Sequence, residues 1–146
     1  MADIPHPLHY DDQFIDDILK TVKTIAVVGA SPNKDRVSHR IMVMLKDQGY
    51  DVLPVNPRPG LEDIAGMKVY PSLAAIDQPV DMVDVFRRSE YLMDIAKETV
   101  AIGAKVLWGQ LGVVDHAAAQ YAEENGVKVV MDRCPKIELM RMDRIT

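Results

Sequence analysis

Apolar residues come in five short, β-branched runs, at 24–28, 51–55, 82–86, 105–108 and 128–131, with a weaker one at 68–70. Several are nearly continuous, Ile25-Ala26-Val27-Val28 being the clearest. Strands covered on both faces of a parallel sheet read this way, because neither side-chain direction meets water. Between the runs the period lengthens to that of a helix. Val37, Ile41, Met44 and Leu45 share one stripe of a predicted helix over 38–48. Leu92, Ile95, Ala96 and Thr99 do so over 90–102, and Ala118, Tyr121 and Ala122 over 115–125, with Asp115 as N-cap. An opening helix over 11–21 carries Phe14, Ile15, Ile18, Leu19 and, just beyond it, Val22 on one face.

One spelling recurs before three of the strands: Gly49-Tyr50-Asp51-Val52, Gly103-Ala104-Lys105-Val106 and Gly126-Val127-Lys128-Val129. Glycine takes the left-handed conformation that ends a helix, so each is the chemistry of a helix-to-strand loop. Strand, helix, strand, repeated, predicts the α/β class, with right-handed crossovers. The expected architecture is a Rossmann-like doubly wound parallel sheet in three layers, αβα, with strand order 3-2-1-4-5-6. The stretch 56–79 is rich in Pro and Gly and predicts a loop, the short third strand and a short helix near 72–76. No linker interrupts the pattern, so residues 1–146 read as one domain, with 1–10 an N-terminal extension.

Composition narrows the function. The 146 residues are 48% hydrophobic and 27% charged, a globular balance. The net charge of −5 disfavours nucleic acid as a partner, since phosphate neutralisation needs a basic surface. No apolar run approaches the roughly 20 residues that span a bilayer, so no membrane association is expected. The first ten residues lack the basic and apolar regions of a signal peptide. The single cysteine, Cys134, excludes an internal disulfide and a multi-cysteine zinc site. A reducing cytoplasm is therefore the expected compartment. His6, His9, His39 and His116 fall in separate elements and make no metal site, and no nucleophile–base pair stands at a known spacing. Neither a metal nor a catalytic residue is assigned.

Ligands of open α/β sheets bind beyond the carboxyl ends of the strands, where strand order reverses. Gly29-Ala30-Ser31 follows the first strand, and a glycine there allows a tight turn whose next amides face an anion at a helix N-terminus. Only the first glycine of G-x-G-x-x-G is present; Ser31 and Lys34 stand at the others. Lys34, Arg36 and Arg40 then bring three cations within ten residues, and Ser38 opens the helix. No Walker A loop is present. The second strand ends Asn56-Pro57-Arg58, with no acid at 54–58 for a ribose. Arg58 suits a phosphate on the ribose instead, as in NADP or coenzyme A. The fourth strand ends Val85-Phe86-Arg87, and Phe86 reads either as a flat apolar surface beside a cation or, alternating with Met82 and Asp84, as a core residue. Ser89 reads as an N-cap. Asp84, a carboxylate inside an apolar strand, needs a partner if buried, and a structural hydrogen bond is the expectation over acid–base catalysis. Gly109-Gln110-Leu111-Gly112 closes the fifth strand as either a close approach to a ligand or a flexible turn. Cys134, beside Arg133 and a helix start, is a candidate reactive thiol or a small structural hydrophobe.

Taken together, 24-TIAVVGAS-31, 49-GYDVLPVNPR-58, 80-VDMVDVFR-87, 101-AIGAK-105 and 131-MDRCP-135 resemble the small bacterial CoA-binding proteins. Those are similar to the CoA-binding domain of the succinyl-CoA synthetase α subunit standing alone. The resemblance implies a Rossmann fold that binds coenzyme A or an acyl-CoA. It implies that Gly29, Ala30 and Ser31 hold the pyrophosphate and that Asn56, Pro57 and Arg58 lie by the 3′-phosphoribosyl end. Val85, Phe86 and Arg87 would border the adenine, and Gln110, Leu111 and Gly112 the pantetheine arm. The synthetase's second domain, with its phosphorylated histidine, has no counterpart in the motifs, and His116 matches none. The expectation is a non-catalytic carrier, sensor or partner subunit. An NADP-dependent oxidoreductase, a redox module forming a mixed disulfide at Cys134, and a structural or regulatory subunit are the alternatives. An open sheet edge or exposed helix face leaves a homo-oligomer or protein partner open.

Overall fold

The computed structural model describes residues 8–144; residues 1–7 of the expected extension, His6 among them, and 145–146 lie outside it. Five parallel strands make the central sheet: β1 (Thr24–Val28), β2 (Asp51–Val55), β5 (Met82–Val85), β6 (Val106–Gly109) and β7 (Lys128–Val130). Their order is β2-β1-β5-β6-β7. Two further strands, β3 (Asp63–Ile64) and β4 (Met67–Lys68), pair antiparallel as a separate hairpin. The five main strands thus stand in the expected relative order. The place of the expected third strand, outside β2, holds one parallel bridge between Val55 and Tyr70. Tyr70 also exchanges backbone hydrogen bonds with Pro54 and Asn56. The apolar run at 68–70 is shared between that bridge and the hairpin, so no longer strand forms.

Helices cover both faces. On one side lie α1 (Asp12–Thr21), α2 (Val37–Asp47) and α5 (Pro135–Arg141), burying Ile15, Ile18, Met42 and Leu139 against Ile25, Val27, Met82 and Trp108. On the other lie α3 (Leu92–Ala101) and α4 (His116–Glu124), burying Leu92, Ala96, Ala118 and Ala122 against Ala26, Val83, Val85 and Leu107. The alternation along β1 and β5 between these two cores is the physical meaning of their continuous apolar runs. Asp115 caps α4 by accepting from the Ala118 amide. Gly49, Gly103 and Gly126 take positive φ just past three helices.

Two local expectations are corrected. Residues 72–76 form only single turns, closed by Ala75 N–H to Ser72 and Ile76 N–H to Leu73, and no helix. With Pro71 before it and Pro79 after it, this segment has no room to propagate one. Ser89 is not an N-cap: Arg88 holds that place before a 3-10 turn, Ser89–Tyr91. The Ser89 hydroxyl instead donates to the Gly112 carbonyl and accepts from the Val114 amide, tying the loop after β5 to the loop after β6. Part of the expected extension belongs to the packed structure. Leu8 packs on the α3/α4 core, and Tyr10 stacks on Phe14 while its hydroxyl accepts from the Met131 amide.

Candidate functional site

The strand order reverses between β1 and β5, because β1 leads to α2 on one face and β5 to α3 on the other. A cleft of about 540 Å³ opens at the carboxyl ends of β1, β2 and β5. Its floor is Gly29, Ala30 and Ser31, leaving β1. Gly29 sits at φ +88°, and a Cβ there would meet the Phe86 backbone at 3.2 Å. The turn therefore needs glycine for both its conformation and the closeness of the neighbouring strand.

Asn56 fixes the wall on the β2 side. Its Nδ2 donates to the Ala30 carbonyl at 2.8 Å, and its Oδ1 accepts from the Arg58 amide at 2.8 Å. One side chain so sets the spacing between the β1 turn and the loop carrying Pro57 and Arg58. The Ser31 hydroxyl accepts from the Asn33 amide, and His39 Nδ1 lies 3.0 Å from the Ser31 carbonyl. Arg36, Val37 and Ser38 bring the first turn of α2 to the cleft. No side chain caps that helix, so its first amides have no capping partner. Phe86 and Arg87 make the third wall, with the Arg87 guanidinium 4.2 Å over the Tyr91 ring.

Three arginines, Arg36, Arg58 and Arg87, line this cleft and no carboxylate does. None of the three forms an ion pair among the described residues, whose ion pairs lie elsewhere. In a chain of net charge −5, that is a local inversion of sign suited to an anion carrying several phosphates.

Of the other sequence candidates, Val85 is fully buried and points into the α3/α4 core, so it does not line the cleft. Gln110, Leu111 and Gly112 lie one strand further along the same edge, outside the cleft lining. Gly109 is tight because the Val113 carbonyl lies 2.8 Å from where its Cβ would be; the close approach there is the chain's own loop. Cys134 is buried in the α1/α2/α5 core, and Arg133 engages Asp132, Leu8 and the Tyr10 ring. Asp84 accepts no structural hydrogen bond: neither carboxylate oxygen has a donor partner among the described residues. The residue is completely buried, and that burial pushes its carboxyl well above the usual range. Pro32 also lines the cleft, as does Val37, which the sequence set on the apolar stripe of its helix but which is half exposed here. Among the described residues, no three His, Cys, Asp or Glu side chains gather to hold a metal, and no helix is long and apolar enough to cross a membrane.

A doubly wound sheet with a cationic cleft at its switch point defines a protein of the Rossmann-like class. More narrowly, residues 23–140 match the model of the CoA binding domain, and the chain belongs to that family. It is 44% identical over 123 residues to the uncharacterized protein YneT of Bacillus subtilis, covering 84% of this chain and 90% of that one. A solved hypothetical protein from Pyrococcus horikoshii superposes with a TM-score of 0.87 at 35% identity, over 97% of this chain and 98% of the other. The α subunit of the ADP-forming acetate–CoA ligase I of Pyrococcus furiosus is 29% identical over 122 residues. That match takes in 74% of this chain and 26% of the subunit, so this chain corresponds to about a quarter of it.

Proposed function

We propose that this protein binds coenzyme A or an acyl-CoA in the cleft at the β1/β2/β5 edge, as a non-catalytic carrier, sensor or partner subunit. The observation that carries the reading is the cleft's lining of three arginines without a carboxylate, set against the open N-terminus of α2. Membership of the CoA-binding family supports it. In this reading the Gly29-Ala30-Ser31 turn and the first amides of α2 hold the pyrophosphate. Arg36 and Ser38 flank that group. Phe86 and Arg87 border the adenine, which stacks on a flat apolar wall beside a cation. Arg58, held out by Asn56, meets the 3′-phosphate, where an NAD-binding domain carries an acid instead.

The test is calorimetric titration with coenzyme A and dephospho-coenzyme A. Wild type should prefer coenzyme A, and Arg58→Ala should lose about tenfold or more in affinity for it while binding the dephospho form as before, since a charge-assisted contact is removed. Equal affinity of wild type for the two ligands would remove Arg58 from that role.

A further inference from the structure

Two buried polar side chains lack partners on the same face of the sheet. They are Asp84, with both oxygens unpaired, and Gln110, with its Oε1 unpaired. Asp84 stands opposite Trp108 in the parallel register of β5 and β6. The ladder runs one residue past β6, with the Gln110 amide donating to the Val85 carbonyl. Side chains alternate along a strand, so Gln110 projects to the side of Trp108, and Asp84 to the side of its neighbours Met82 and Phe86. Met82, Phe86 and Trp108 all belong to the α1/α2/α5 core, so the two orphans share that face. They are diagonal neighbours on adjacent strands, about 8 Å apart at Cα from strand spacing and rise, a separation within the reach of long side chains.

The two orphan groups are chemically complementary in one protonation state only. A carboxylate and an amide oxygen are both acceptors; a carboxylic acid is a donor. Burial raises the proton affinity of Asp84, with no cation among its causes. The Gln110 nitrogen, unlike its oxygen, is neither sealed from solvent nor bonded within the described chain. Carried one residue past the last pair of β5 and β6, the register sets Gln110 beside Phe86, which walls the cleft.

We propose that Asp84 is a positioning residue: as a neutral acid it donates to Gln110 Oε1 and turns the Gln110 amide so that Nε2 donates to a carbonyl of the ligand's arm. The ligand class is therefore one with an amide or thioester carbonyl beyond its phosphates. The inference rests on the coenzyme A reading and deepens it.

Its test uses two variants and two ligands. Asp84→Asn retains a donor to Gln110 Oε1, whereas Asp84→Leu removes it at similar volume. Coenzyme A carries the arm; adenosine 3′,5′-bisphosphate does not. Asp84→Leu should weaken coenzyme A binding about five- to tenfold, one hydrogen bond's worth, leave the bisphosphate unchanged, and be rescued in Asp84→Asn. The side-chain NH₂ signals of Gln110 in the NMR spectrum give a readout that needs no ligand. They should be dispersed in wild type and Asp84→Asn, and move toward solvent-exposed values in Asp84→Leu. Unmoved Gln110 signals in a folded Asp84→Leu protein, or equal loss of both ligands, would overturn the pairing. Failure of wild type to bind coenzyme A would overturn the functional reading instead, and the NMR comparison would still decide whether Asp84 orients Gln110.

Discussion

Gly29 combines a positive φ with a neighbouring backbone at 3.2 Å from any Cβ. Gly29→Ala should cost about 1–2 kcal/mol of stability, the left-handed penalty, and should spread the β1 turn from Phe86; denaturant unfolding checks the first and ligand titration the second. That glycine was legible in the sequence because it directly follows an apolar run. Asp84 was legible as an anomaly, while its lack of a partner was not, since a strand sequence does not say which atoms of the next strand come within reach. Burial alone raises its native proton affinity, and His39, Cys134 and Glu138, the other titratable groups buried toward this face, are not among the causes. The folded protein therefore holds a proton that the unfolded chain releases above about pH 3.8. From there up to the raised native value, stability should fall by about 1.4 kcal/mol per pH unit more in wild type than in Asp84→Asn. Thermal unfolding of both proteins between pH 4 and 8 reads this; parallel curves would mean that Asp84 ionises in the fold.

At the scale of elements, α1 to α4 and the main strands followed from periodicity, and the three helix-ending glycines from their spelling; α5 was foreseen only as a helix start after Cys134. The segment between β2 and β5 did not. Its Tyr70 bridge and its β3–β4 hairpin depend on contacts made by single residues, which no period encodes. Nor did the sequence mark Asp81, which ties the starts of three strands. Its Oδ2 accepts from the Lys23 and Thr24 amides before and at β1, and Lys105 lies 3.7 Å from Oδ1 ahead of β6. Partial burial would raise its pKa, but the two amide hydrogen bonds and Lys105 outweigh it and hold the carboxyl below 3.8. Asp81→Ala should cost about 2 kcal/mol near neutral pH, as expected for hydrogen bonds to a charged group. A depressed native value stabilises above the unfolded pKa and is lost as pH falls through the native one. The gap between wild type and Asp81→Ala in urea unfolding should accordingly close below about pH 4.

At the scale of the molecule, topology decides where a ligand can sit, and charge decides what kind. The reversal of winding between β1 and β5 creates the cleft; Arg36, Arg58 and Arg87 make it cationic within an acidic chain. The sequence indicated this edge because its glycine turn and its Asn56-Pro57-Arg58 and Phe86-Arg87 segments all follow strands. It could not separate the three walls of the cleft from the β6 loop, because both lie at strand ends and only the distance between strands divides them. The direct measurement is calorimetric titration of the ligand-stripped protein with coenzyme A and, in parallel, NADP⁺. Coenzyme A should bind saturably in the cleft at micromolar affinity or better, about −8 kcal/mol, with no comparable heat from NADP⁺. Preference for NADP⁺, or binding of neither, would contradict the coenzyme A reading.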